Sequence, residues 1–111
     1  MSCIFCRIVA GQIPAARLLE DEHVLAFRDV NPQAPKHILV IPRAHIAAVK
    51  DLEDQHRDLA GRLLLAARDV ARAEGLASYR LVTNVGADAG QSVFHIHIHL
   101  LGGRVFDWPP G

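Results

Sequence analysis

The sequence predicts an α+β fold, an antiparallel sheet of about five strands with one long and one short helix. Three observations carry that expectation. His95, His97 and His99 alternate strictly with Ile96, Ile98 and Leu100 inside the stretch Gly90 to Leu101, the period of a half-buried strand. One helical stripe occupies the middle of the chain. The remaining apolar runs are short, bounded by turn residues and not arranged in strand–helix–strand alternation.

In chain order, Cys3 to Val9 is apolar apart from one Arg and stops at Gly11, which predicts a short helix with a C-terminal glycine. Arg17 to Glu20 and Val24 to Phe27 flank Asp21-Glu22-His23 and read as a hairpin. Asn31-Pro-Gln-Ala-Pro35 reads as a loop, because proline donates no hydrogen bond and restricts the residue before it. His37 to Ile41 reads as a buried strand ended by Pro42. Asp51 is placed to cap a helix reaching Glu74, with Gly75 just past its end. Leu59, Leu63, Ala66, Ala67, Val70 and Ala73 form its stripe, while Leu64 and Leu65 fall outside it. Leucines on a second helix face point to a partner surface or to scattered exposure. Tyr79 to Asn84 reads as the next strand, and Val85 to Ser92 as a glycine-containing loop leading to the histidines.

The chain has 111 residues, half of them apolar, enough for one domain over 1–111 with one core. Formal net charge is zero, which argues against a broad basic surface for duplex nucleic acid. No apolar run is long enough to span a bilayer, and no basic region followed by an apolar stretch marks a secretion signal. The expected setting is the cytoplasm, with no membrane or nucleic-acid partner.

On a strand the three imidazoles would share one face, about 6.5–7 Å apart. An ordinary strand carries Thr, Ser or Lys there, so three groups titrating near neutrality suggest chemistry rather than a plain polar face. A neutral imidazole attacks phosphorus well and leaves well once protonated, splitting one hard displacement into two. The middle position, with an imidazole on each side to orient it and move protons, makes His97 the candidate nucleophile. Ser92 offers a hydroxyl upstream, and Gly90 with the amides of Gln91 and Ser92 can form an anion-binding nest. Simple turn chemistry is the other reading of Ser92, and a strand-end cap that of Asn84. No Walker-type loop is present and no Lys or Arg adjoins the triad, which suits a monophosphate ester or amide better than a triphosphate.

Cys3-x-x-Cys6 has the spacing of a zinc half-site and needs two further ligands, for which His45 and His95 are candidates. Inert core thiols are the alternative; a redox pair is disfavoured because no strand precedes it.

His95-Ile-His97-Ile-His99-Leu-Leu resembles the histidine-triad motif. Phe27-Arg-Asp29-Val-Asn-Pro-Gln-Ala-Pro-Lys-His37-Ile-Leu-Val-Ile-Pro, Gly90-Gln-Ser-Val-Phe-His95 and the tail Leu101-Gly-Gly-Arg with Trp108-Pro-Pro-Gly111 resemble the Hint branch, the histidine triad nucleotide-binding proteins, over nearly the whole chain. The resemblance implies a HIT-like fold and a homodimer formed through the long helix and a neighbouring strand. It implies hydrolysis of purine nucleoside 5′-phosphoramidates, such as adenosine 5′-monophosphoramidate and adenylated amines, through a nucleotidyl intermediate on His97 and with no cofactor required. His99 would contact the phosphoryl oxygens; the branch that transfers nucleotides to sugar phosphates carries Gln there. Asn84, Gly90, Gln91 and Ser92 would hold the α-phosphate, Asp29 and Val30 the ribose, and Ile4, Phe5, Ile8, Ile13 and Leu39 the purine. On composition alone those apolar residues are ordinary core, and Asp29 is a turn starter. His37 would support the triad from behind, and Trp108 would reach the leaving group across the dimer, its own core being the alternative. Bacterial members of the wider family hold one zinc on a Cys-x-x-Cys, a His after the Pro-x-x motif and the first triad His, which implies a structural zinc on Cys3, Cys6, His45 and His95 here, although many Hint proteins lack the cysteines. A three-histidine zinc hydrolase and a nucleotide-binding or scaffold protein without turnover remain open.

Overall fold

The computed structural model describes residues 3–111, so the first two residues of the expected 1–111 domain lie outside it. In order come helix α1 (Ile4–Val9), strands β1 (Arg17–Glu20), β2 (Val24–Arg28) and β3 (Lys36–Pro42), helix α2 (Arg57–Ala73), and strands β4 (Tyr79–Val82) and β5 (Ile98–Gly102). Every neighbouring pair in the sheet is antiparallel, and the spatial order is β1-β2-β3-β5-β4. The five-stranded antiparallel sheet with one long helix is therefore as expected.

The two faces of the sheet are covered by different elements. Val24, Ala26, Ile38, Val40, Ile98 and Leu100 meet Leu63, Ala66, Ala67, Val70 and Ala71 of α2. Leu25, Phe27, Leu39 and Ile41 point the other way, under Phe5 and Ile8 of α1. Strand β3 is thus buried on both faces, which explains its unbroken apolar run. Each Ile or Leu removed from water here is worth about 2 kcal/mol. Alanines on the inner face of α2 let the helix lie close to the sheet. At the end of β5 a side chain on Gly102 would come within 2.7 Å of the Leu76 methyls, so the Leu76 side chain would have to shift to admit one.

Several boundaries differ from expectation. Helix α2 starts at Arg57 rather than after Asp51, because Glu53 and His56 form a reciprocal cap around a 3₁₀ turn, with the Glu53 amide donating to His56 Nδ1 at 2.9 Å. Ala71, not Ala73, completes the buried stripe, and Leu59 is only half-buried. Leu64 and Leu65 are 56% and 50% exposed, outside the chain's own core. Strand β4 ends at Val82. The largest correction concerns the alternating stretch: only Ile98 onward is strand, and His95 and His97 precede it. The register of β3 with β5 ends at Val40–Ile98, and before that point the chain turns away, with the Ile96 amide donating to Ile46 O at 2.7 Å.

Candidate active site

A cleft of about 460 Å³ opens on the α1 side of the sheet. Its apolar end is lined by Ile4, Phe5, Ile8, Ile13 and Leu39, joined by Phe27. Its polar end is lined by Asp29, His37, Ser92, His97 and His99, with Val30 at the rim. These apolar residues are only in part ordinary core: Phe5, Ile8 and Leu39 are buried, while Ile4 is 47% exposed.

The hydrogen bonds determine where each ring nitrogen keeps its lone pair. His97 Nδ1 lies 2.8 Å from the carbonyl oxygen of His95. A carbonyl only accepts, so Nδ1 carries the proton and Nε2 keeps a free lone pair. His95 is fully buried, and its Nε2 lies 2.8 Å from Pro42 O, which leaves the lone pair on Nδ1. The expected flanking of His97 by two imidazoles is therefore corrected. His99 lies on one side, at 5.0 Å between ring centroids, but His95 supplies its backbone, and Phe5 packs edge-on against His97 at 5.1 Å.

Behind His99 stands a relay. The Gln33 amide donates to His37 Nδ1 at 3.0 Å, so the proton of neutral His37 sits on Nε2. That Nε2 lies 2.9 Å from His99 Nδ1 and 3.4 Å from Asp29 Oδ2. His99 accepts on Nδ1 and presents Nε2–H. Burial first, then the neighbouring His97 and His37, pushes the His99 imidazole down to about 4, and burial lowers His37 as well. Both rings are neutral at pH 7. Asp29, just past β2, serves two ends, since its Oδ1 also accepts from the Asn31 amide at 2.8 Å. Asp29, His37 and His99 lie close enough to resemble a metal centre. The Gln33 amide argues otherwise, because it keeps the proton on the His37 nitrogen that would have to ligate.

Four expected residues lie away from the cleft. The Gly90 and Gln91 amides donate to Ala87 O and Gly86 O, both at 3.0 Å, so the expected nest is not formed by them. Gln91 is buried, and its side chain accepts from the Gly86 amide and donates to Ala47 O and Val93 O, which makes it a loop brace. Asn84 stands beside Gly90 and, with Trp108, lines a separate groove next to β4. Trp108 is 83% exposed and so does not belong to its own core. Conversely, Arg28, Gln33 and Val93 line the cleft without having been singled out. Gln33 acts through its backbone, for which a sequence carries no signal. Arg28 is tied to Glu74 at 2.8 Å, with Lys36 at 3.2 Å on the same oxygen, so its charge is already paired.

The two cysteines gather the expected partners. Cys3 Sγ and Cys6 Sγ lie 3.4 and 3.5 Å from His95 Nδ1, and His45 Nδ1 lies 3.2 Å from it and 3.3 Å from Cys6 Sγ. Cys3 also caps α1, accepting from the Cys6 amide at 3.4 Å. Two thiols and two imidazoles, with the His95 lone pair aimed among them, form the donor set of a tetrahedral zinc centre. Without an ion, burial raises the Cys6 thiol above its ordinary value.

A HIT domain family model matches residues 10–106. The 14 kDa zinc-binding protein of Zea mays is 50% identical over 111 residues, covering 97% of this chain and 87% of that protein. The adenylylsulfatase HINT1 of Arabidopsis thaliana is 49% identical over 111 residues, covering 97% of this chain and 76% of that protein. Among solved structures, a HIT family hydrolase from Legionella pneumophila Philadelphia 1 superposes with a TM-score of 0.97 at 52% identity, covering 99% of this chain and 100% of that one.

Proposed function

The chain belongs to the HIT domain family, in its Hint branch, and from that premise we propose that it hydrolyses purine nucleoside 5′-phosphoramidates through a nucleotidyl intermediate on His97. The observation that carries this reading is the 2.8 Å bond from His97 Nδ1–H to His95 O, which leaves Nε2 as the one unprotonated nitrogen of that ring. The base lies among Ile4, Phe5, Ile8, Ile13 and Leu39, and the ribose hydroxyls bind Asp29 beside Val30. The α-phosphate then sits between Ser92, His97 and His99.

His97 Nε2 attacks the α-phosphorus and the P–N bond breaks. The departing nitrogen takes a proton from solvent, relayed through the Ser92 hydroxyl, and leaves as an amine. The His97 ring becomes cationic, stabilised by the His95 carbonyl, and is therefore a good leaving group. Neutral His99, held by His37, donates Nε2–H to a phosphoryl oxygen whose charge grows in the transition state. Water then attacks phosphorus, its proton returns by way of Ser92, and nucleoside monophosphate departs. Zinc on Cys3, Cys6, His45 and His95 would tie α1 to the loop before β5, and it takes no part in bond making.

The name of the Arabidopsis relative favours a second leaving group on the same nucleotidyl unit, sulfate in place of an amine. A three-histidine zinc hydrolase finds no support, since the lone pairs of His95 and His97 do not converge. Brief mixing with an adenosine phosphoramidate followed by an alkaline denaturing quench, which spares the acid-labile P–N bond to histidine, and peptide mass spectrometry tests the reading. An adenylyl group on His97 is expected. Substrate binding with no adduct and no turnover would favour a binding protein, and competition between amine and sulfate substrates ranks the leaving groups.

A further inference from the structure

We propose that a second cavity, adjoining the cleft at Ser92, is the subsite for the leaving group, that it takes apolar amines, and that Phe94 sets this preference. This rests on the roles given above to His97 and Ser92 and extends them. The cavity has about 400 Å³ and is lined by Ile4, Ala47, Ser92, Val93 and Phe94, with Cys3 and His45 completing it. Ile4, Ser92 and Val93 also line the cleft, so the two spaces meet along these three residues, whereas His97 and His99 line only the cleft. In a displacement at phosphorus the entering and departing atoms lie roughly in line. With His97 attacking from within the cleft and Ser92 serving the departing nitrogen, the substituent on that nitrogen is directed past Ser92, into the second cavity.

The walls of this cavity are built in advance. The buried Gln91 side chain donates to Ala47 O at 2.7 Å and to Val93 O at 3.1 Å, which ties its two sides together. The Ile96 amide on Ile46 O at 2.7 Å joins the same two segments again. Phe94 and Ile4 are half-exposed, apolar side chains kept in water at the edge of an open space. Cys3 Sγ and His45 Nδ1 turn into the cysteine–histidine cluster, at 3.4 Å from His95 Nδ1 and 3.3 Å from Cys6 Sγ. Among the described residues no Lys, Arg, Asp or Glu lines the cavity. An apolar space with few polar groups suits an alkyl or arylalkyl substituent and offers no partner to a carboxylate. Trp108 lines a different groove of the same chain, so the Phe94 wall is separate from the chain's own tail.

The test is kcat/KM for adenosine phosphoramidates of three amines of similar basicity: methylamine, hexylamine and ε-aminocaproate, which ends a like chain in a carboxylate. Each methylene taken out of water is worth about fourfold, so a partly covered hexyl chain should exceed methyl by about tenfold or more, and the carboxylate should cancel that gain. Phe94→Ala, which removes a wall, and Ala47→Phe, which fills the space, should each abolish the hexyl advantage, whereas Phe94→Leu should keep most of it. Both rates come from one protein, so a loss of folded fraction cancels in the ratio. A hexyl-to-methyl ratio that survives both variants overturns the proposal. So does a ratio that persists in Phe94→Ala and collapses in Trp108→Ala, which would give the subsite to the tail. An equal gain for ε-aminocaproate overturns the apolar assignment. If wild type turns over none of the conjugates, the catalytic reading fails instead, and calorimetric affinities of the uncleaved hexyl and methyl compounds decide the subsite. Tighter hexyl binding that Phe94→Ala removes supports it, and equal affinities sink it.

Discussion

At the scale of single residues the site depends on where protons sit. The His95 carbonyl and the Gln33 amide pin the tautomers of His97 and His37, and through His37 that of His99. His97→Ala should abolish hydrolysis and adduct formation while nucleotide affinity, measured by calorimetry, stays within a few-fold; wild-type turnover in the variant would remove His97 from its role. The buried rings also make stability depend on pH. His99 and His37 titrate below their unfolded value near 6.5, His99 at about 4. The unfolded chain therefore binds more protons in that window, and stability should fall as pH drops from about 6.5 towards 4. Urea midpoints across this range check it, and His99→Gln should flatten the slope. Gln91 shows that a residue can matter without touching substrate. Gln91→Ala leaves Ala47 O and the Gly86 amide without their partner and should cost about 2 kcal/mol in urea unfolding.

At the scale of elements, α2 divides its leucines. Leu63 closes the core, whereas Leu64 and Leu65 are more than half or half exposed, and Tyr79 and Leu81 on the edge strand β4 are 37% and 38% exposed. Apolar side chains left in water on a helix and on a free strand edge suit a second copy of the chain. The double variant Leu64→Glu with Leu65→Glu should sediment as a monomer where wild type sediments as a dimer. A wild type that is monomeric at high concentration would leave those leucines as scattered exposure. Helix α1 shows the opposite economy, since its six residues and the capping Cys3 supply both thiols of the cysteine–histidine cluster and part of the apolar wall of the cleft.

At the scale of the whole molecule the C-terminal tail stands apart from both cores. Val105 to Gly111 carries its only tryptophan, 83% exposed, beside a groove shared with Asn84. An indole this exposed gains little unless something covers it, and the resemblance to the Hint branch implies that the cleft of a second copy is what it meets. Deleting 107–111 or changing Trp108→Ala should alter preference among amine leaving groups, with tryptamine losing most, and leave nucleotide preference intact. The measurement is kcat/KM for several amines on one nucleotide. A uniform fall for all of them together with a lower Tm would make the tail a structural element.

The antiparallel α+β architecture, the grouping of two cysteines with His45 and His95 as candidates, and the family that Phe27 to Pro42 and Gly90 to Leu101 resemble are all legible in the residues alone. These follow from periodicity, from spacing and from residue types whose chemistry is local. Only the tertiary structure decided that His95 turns out of the triad towards the cysteines, that the Gly90 and Gln91 amides are already bonded, and that α2 waits until Arg57 to begin. Alternation says which side a chain would present if it stayed in a strand, and says nothing of where pairing stops. The deciding partners, Pro42 O, His95 O and the Gln33 amide, are backbone groups. Every residue but proline carries the same amide and every residue the same carbonyl, so their placement is a property of the folded chain.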